Sequence, residues 1–331
     1  MVSSYRELLF RAIMMISSLF FSVSILQAQD EFDALRYSQV GIGGTARTWG
    51  LGGAAGSMGG DFSSLSVNPA GIGIYRSSEM MMTPDLLISK NANTYLGNEE
   101  FDHSSKFNFT NFGLVFCNTG NGRYRLRKGW KSVGIGLGMN RLASFKNESY
   151  YAGLNTKNSL SETYAEDFNS LGGLNATTIN QVNAAAYGAY SVYLVNPGLG
   201  ADSNMAVSVV PYSQGIYQTK RVSESGGMSE YLLSAGANYQ DHIMIGASMV
   251  MVSAHYNRTL QFSEVDASGD VNNNFRYFYF TETLQTTGTG INFKIGAIFK
   301  PSNTFRFGLA VHTPNYIQFN DVSSVNLVAH T

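Results

Sequence analysis

The sequence predicts an all-β fold, a transmembrane antiparallel β-barrel. Three observations carry that expectation. Charged residues are 14% of the 331, against about 25% in an average soluble domain, while Tyr (19), Phe (21) and Gly (35) are abundant. Several stretches alternate with period two, apolar on one face and Gly, Ser or Asn on the other. The connections between them are short at one end and long at the other. A mean hydropathy of −0.08 is too low for a bundle of membrane helices and suits strands apolar toward lipid and polar inside.

Four stretches show the alternation best. In 132–145, Val133, Ile135, Leu137 and Met139 oppose Ser132, Gly134, Gly136, Gly138 and Asn140. In 229–239, Tyr231, Leu233, Ala235, Ala237 and Tyr239 oppose Glu230, Ser234, Gly236 and Asn238. In 290–300, Ile291, Phe293, Ile295, Ala297 and Phe299 oppose Gly290, Asn292, Lys294 and Gly296. In 304–312, Phe305, Phe307, Leu309 and Val311 oppose Arg306, Gly308, Ala310 and His312. A soluble sandwich also alternates, but its second face is charged and wet. A second face of Gly, Ser and Asn suits a lumen that a ligand or plug approaches closely. Gln240-Asp241-His242 and Pro301-Ser302-Asn303 read as three-residue turns, which keep odd positions on one face of both arms. The stretches 243–265 and 275–300 exceed the 9–11 residues a strand needs to cross a bilayer, so they read as one hairpin projecting beyond it. Within 105–118 the apolar phase switches from odd (Phe107, Phe109) to even (Phe112, Leu114, Phe116), which predicts a bulge near Asn111.

The rest of the chain falls around this framework. Residues 1–28 read as a secretory signal peptide: Arg6 and Arg11, an apolar run too short to span as a helix, then Leu26-Gln27-Ala28 before the cleavage point. Residues 29–77 are Gly-rich, without strand alternation, and close on Asn68-Pro69-Ala70-Gly71: a compact turn-rich hatch or plug. Pro69 fixes φ, Asn68 can bond its own backbone and Gly71 allows a sharp reversal. Residues 78–331 form the barrel region, with an extracellular, partly helical insertion at about 147–228. There Ser159-Leu160-Ser161-Glu162 fits a capping box, followed by Leu160, Tyr164, Phe168 and Leu171 at helical spacing. A second helix is expected from Thr178, with Ile179, Val182, Ala186 and Tyr190 on one face, ending before Pro197, and 205–219 is a candidate strand. The helices read either as a cap on the barrel mouth or as a ligand-capturing element.

Other chemistries find little support. Gly41-Ile42-Gly43-Gly44-Thr45-Ala46 matches a dinucleotide-binding loop but lacks the preceding strand. His103, His242, His255, His312 and His330 are scattered, so no metal site is expected. Cys117 stands alone and reads as a small hydrophobe. No hydrolase elbow is present, no charge block suggests nucleic acid, and neither an enzyme nor a cofactor is expected.

Three stretches resemble the FadL/TodX-type outer-membrane transporters. Residues 43–75 resemble that family's N-terminal segment through Asp61, Ser63, Asn68, Pro69, Ala70 and Gly71. Residues 134–145 are similar to its Gly-x-Gly strand ending in Asn-Arg-Leu, and 287–314 to its strand pair joined by a Lys-Pro turn. The resemblance implies a fourteen-stranded barrel in the outer membrane of a Gram-negative bacterium, among lipid and lipopolysaccharide, placed there by the barrel insertion machinery. It implies uptake of hydrophobic small molecules such as long-chain fatty acids, bound in the lumen and released through a lateral opening gated by the hatch. Lys294 and Arg306, lumen-face cations on adjacent strands, are the candidate contacts for a ligand carboxylate; Lys220 and Arg221 compete. The chain departs from the family in offering only about eight strands and no terminal aromatic, which leads to the expectation of a C-terminally truncated member. A closed smaller barrel is the other possibility. A haem-binding or adhesion barrel without transport, and a secreted soluble sandwich, stand as alternatives in function.

Overall fold

The structure is a computed structural model that describes residues 31–39, 41, 43–120, 126–200 and 203–331. The signal peptide expected at 1–28 lies outside the described residues. Of the first unit, Met1–Val40, the described part holds one helix, α1 (Glu31–Ser38), with an Arg36–Asp33 ion pair. Gly41–Thr331 forms the second unit.

The all-β expectation holds. Every ladder among the described residues is antiparallel. The main sheet contains β1 (Glu79–Tyr95), β2 (Asn98–Asn118), β3 (Trp130–Ser144), β4 (Asn147–Asn155), β7 (Ile216–Tyr239), β8 (Ile243–Asp266), β9 (Tyr277–Phe299), β10 (Phe307–His312) and β11 (Tyr316–His330). Its order is β1-β2-β3-β7-β8-β9-β10, with β4 also paired to β7 and β11 to β9. β4 therefore prolongs β3, and β11 prolongs β10 past Pro314, which has no N–H for a ladder. The nine strands make seven traverses, one fewer than the sequence count. The sheet curls strongly, as half a barrel. It is open: β1 does not pair with β10 or β11, so the small closed barrel is not what these strands form.

Strand length and register follow the sequence closely. β7 and β8 pair without slippage from Tyr239↔Ile243 to Ile216↔Asp266. Their turn places Gln240 and Asp241 at φ 53° and 60°. The other short connection is longer than expected. Pairing resumes at Phe299↔Phe307, so the three-residue turn opens into a loop over 300–306, with odd residues still sharing a face. On β2 the predicted bulge is present. Thr83 pairs with Asn111 and Pro84 with Phe109, leaving Thr110 as the extra residue. Pro84 sits where its missing donor is tolerated, on an edge strand beside a bulge.

The outward face carries a belt. Exposed Ile243, Ile245, Met249 and Met251 on β8 lie beside Tyr231, Leu233 and Tyr239 on β7, and Ile291, Phe293, Ile295 and Phe299 on β9. Its upper limit runs straight across the ladders, Met139–Tyr231–Met251–Ile291. One step beyond, the outward row is Arg141–Ser229–Ser253–Thr289. The nine residues from Ile243 to Met251 extend about 30 Å. At a barrel's tilt that gives the ~25 Å apolar band that lipid requires.

The insertion is shorter than expected. Ile216–Met228 is not insertion but the first half of β7, paired to β8 throughout, to β4 over Ile216–Glu224 and to β3 at Gly227 and Met228, and Asn147–Asn155 is β4, so the part outside the main sheet lies within 156–215. Beyond the belt the demand of lipid on one face ends, and Thr219 to Gly226 show no period-two alternation. The capping box is formed: Ser159 accepts from Ser161 N and Glu162 caps Ser159 N, opening α4 (Leu160–Ser170). The second helix is split, because Asn183 accepts from Ala186 N and starts a fresh helix, α5 (Ala184–Ser191), after a single 3-10 turn at Thr178–Asn180. A short hairpin, β5 (Val195–Pro197) and β6 (Ala206–Ser208), completes the cap; of the strand anticipated at 205–219 only Ala206–Ser208 and the start of β7 are extended.

Candidate functional site: a plug seated in the curled sheet

The segment from Gly41 to Tyr75 fills the concave side of the sheet near its turn end. It contains α2 (Ala46–Gly50), α3 (Ser64–Val67) and a 3-10 turn at Pro69–Ile74. Asp61 is its hub. The carboxylate accepts from Thr45 Oγ1 (2.8 Å) and Ser63 N (2.8 Å), and Ser63 Oγ accepts from Thr45 N (2.7 Å). Asn68 Oδ1 accepts from Ala70 N, so it does bond its own backbone as expected, and Pro69 occupies the first position of the 3-10 turn. Gly71 acts differently from expectation. It lies within that turn, and its use is closeness: a Cβ there would stand 2.5 Å from Ser64 Cβ and 2.8 Å from Gly59 Cα.

The glycine face of the strands is moulded to this plug. A Cβ at Gly136 would lie 2.4 Å from Leu65 Cδ2, and one at Gly113 1.8 Å from Phe62 Cε2. On β8, a Cβ at Gly246 would lie 2.3 Å from Pro69 O. Phe62, Leu65 and Ile72 are fully buried as a result. The sequence left open whether a ligand or a plug approaches this face; here the plug does.

Polar side chains from the wall then meet plug carbonyls in order. Ser248 Oγ donates to Leu65 O (3.0 Å), Lys294 Nζ to Ser66 O (2.9 Å) and His312 Nε2 to Val67 O (3.0 Å). These three residues are consecutive partners across β8, β9 and β10. They satisfy carbonyls at the end of α3 that no further helical turn can satisfy. Lys294 Nζ also donates to Glu230 Oε2 (2.7 Å), with side chains 8% and 1% exposed, and Ser66 Oγ donates to Glu230 Oε1. Elsewhere Ser132 Oγ donates to Gly73 O, Asn68 Nδ2 to Gly56 O, and Arg306 Nη1 to Met58 O.

All eight residues singled out in the sequence thus meet at one place. Asp61, Ser63, Asn68, Pro69, Ala70 and Gly71 build the plug, and Lys294 faces it from β9; Arg306, expected on the adjacent strand, instead reaches it from the 300–306 loop just before β10. Both cations are bonded to plug backbone, Lys294 within a buried ion pair. Glu230, Ser66, Ser248 and His312 were missed as partners. The register set by the 240–242 turn already pairs Ser234 with Ser248 and aligns them with the Lys294 row, which is a signal for Ser248 but not for Glu230 or Ser66.

The loop end of the concave face is different. Phe278 and Phe280 of β9 pack against Tyr164 and Phe168 of α4 and against Ala186 and Ala189 of α5, so the helices are a packed cap. Glu264, buried on β8, accepts from Ser159 Oγ (2.5 Å), Leu160 N (2.8 Å) and Gln218 Nε2 (2.8 Å). Burial raises its pKa, and these three hydrogen bonds offset part of that rise. Beside Gln218, a cavity of ≈ 270 Å³ is walled by Tyr95, Tyr151, Phe262 and Lys220. Tyr95 reaches it from the tip of the β1–β2 hairpin and donates to Gln218 Oε1. Among the described residues, no metal-holding cluster is present.

A curled antiparallel sheet with an apolar outward belt and a filled concave side defines the class: a β-barrel type of membrane protein. No family model matches the chain, and no curated protein matches it. Among solved structures it is similar to a CymD monoaromatic hydrocarbon channel, at 10% identity and a TM-score of 0.18, over 88% of this chain and 97% of that one. At that TM-score the likeness does not bear on fold or function.

Proposed function

We propose that the protein takes hydrophobic small molecules, such as long-chain fatty acids, across the outer membrane of a Gram-negative bacterium. The observation that carries this reading is the plug: it occupies the concave side near the turn end, while the outward side carries an apolar belt. A solute that enters such a lumen leaves most easily sideways, where its hydrocarbon never returns to water at about 0.8 kcal/mol per CH₂. The plug is the gate of that route. Lys294 and Arg306 are already engaged, so a carboxylate reaches them only after the plug shifts. The earlier contact is Lys220, whose ammonium has no hydrogen-bond or ion-pair partner among the described residues and borders the aromatic cavity. The adhesion reading gains nothing from the insertion, which is folded down rather than displayed.

The test is uptake of oleate and of a small sugar by vesicles carrying the protein. Oleate uptake above protein-free vesicles without sugar uptake is expected, and Lys220→Ala raises the half-saturating oleate concentration by up to about fivefold, the size of a partly exposed charge contact. Equal oleate uptake in protein-free vesicles, or passage of the sugar, overturns the reading.

A further inference from the structure

We propose that Lys294 and Glu230 are the positioning residues that keep the plug seated, through Ser66, and that this buried triad is the point at which the plug releases. The inference deepens the gate assigned above and rests on that reading for its transport meaning. Ser66 contacts both charges, its hydroxyl donating to Glu230 and its carbonyl accepting from Lys294. No other plug residue makes two bonds to a buried ion pair of the wall among the described residues. A pair taken out of water is stable only while its remaining donors and acceptors are satisfied. In the seated state Ser66 supplies one acceptor and one donor. When the plug leaves, the pair stays together on the wall and water replaces Ser66. This contact makes seating sensitive to the polarity of the buried pair, beside single hydrogen bonds from Ser132, Ser248, Arg306 and His312 and a glycine-lined fit that is indifferent to charge.

Amide hydrogen exchange on the full chain, in lipid nanodiscs, reads this directly. In Lys294→Met the plug peptides over 59–75 are expected to exchange about tenfold faster or more, while peptides from β7 to β9 keep their protection. The decisive variant is the double exchange Glu230→Lys with Lys294→Glu. It preserves an ion pair in the wall but turns a carboxylate toward the Ser66 carbonyl, so the plug stays deprotected although the sheet is protected. Native-like protection of 59–75 in the exchanged pair overturns the proposal, because the pair then serves only the wall. Equal loss across plug and strands in Lys294→Met overturns it as well. Should the charge variants fail to fold, Ser66→Ala removes only the hydroxyl; about threefold faster exchange over 59–75 is expected, and an unchanged rate overturns the proposal. Oleate uptake in the same nanodisc-tested variants, measured in vesicles, separates the two ideas. Altered plug exchange with no protein-dependent uptake in any variant leaves the latch standing and removes the transport reading. Protein-dependent uptake with unaltered plug exchange does the reverse.

Discussion

The two ends of the concave face solve the same problem with opposite materials. At the turn end, bare glycine backbone receives the Phe62 side chain at 113, the Leu65 side chain at 136 and the Pro69 backbone at 246, and the object they receive is a compact plug with serine, asparagine and lysine bonds at its seam. At the loop end, Phe278 and Phe280 project from the same β9 and receive two helices through side-chain burial. The difference teaches what each part resists. A fit against bare glycine backbone tolerates no added atom, while an apolar cap tolerates no lost one. The first suits an element that sits in one position; the second suits a lid whose contacts are broad and non-directional.

Substitution separates the two ends most sharply at Phe278. Its side chain is fully buried between the sheet and the cap, so Phe278→Ala is expected to destabilise cap docking by about 3–5 kcal/mol. Proteolysis within 156–215 should become fast, while the plug over 59–75 keeps its exchange protection. Loss of both together would mean that the two ends form one cooperative body, and the contrast would dissolve.

Gly246→Ala probes the turn end with one methyl. In an ordinary strand that change is neutral or stabilising, since glycine is the more costly residue there. Here the new carbon meets the Pro69 carbonyl at 2.3 Å. Overpacking of this kind costs about 1–3 kcal/mol, and it falls on plug seating: faster exchange at 59–75, with the cap unaffected. A Gly246→Ala protein with a plug as protected as the native one would show that the fit is looser than the geometry implies.

How far this was legible in the sequence follows the same division. Period-two alternation found the belt, the lumen face and the phase change at Thr110, because lipid on one side and plug on the other leave strong opposite demands on alternate residues. Beyond the belt that demand vanishes, and Ile216–Met228 was read as insertion although it is strand. The plug residues Asp61 and Asn68 were visible as a motif, and their local bonds could be anticipated from residue chemistry. The Glu230–Lys294 pair could not: both residues were placed on the lumen face, but their meeting depends on β7, β8 and β9 packing around Ser66. The helix break at Asn183 was missed because helical periodicity from Ile179 to Tyr190 continues through it, and only the capping bond to Ala186 N reveals the restart.

The smallest effect concerns acidity, and it belongs to the cap end. Glu264 lies on β8 well past Met251, beyond the outward apolar belt, and its carboxyl is pushed up by burial. A carboxyl with a folded pKa above its unfolded value holds its proton longer in the folded state. Its contribution to docking is therefore fully present below the ordinary glutamate range and declines as pH rises through the raised folded value. The cap should thus be slightly better docked near pH 5 than near pH 8, with exchange over α4 faster at the higher pH after correction for intrinsic rates. Glu264→Gln keeps an acceptor for Leu160 N and removes the titration, so the pH dependence should flatten in that variant. A pH response of equal sign and size at both ends would show that Glu264 is not its source.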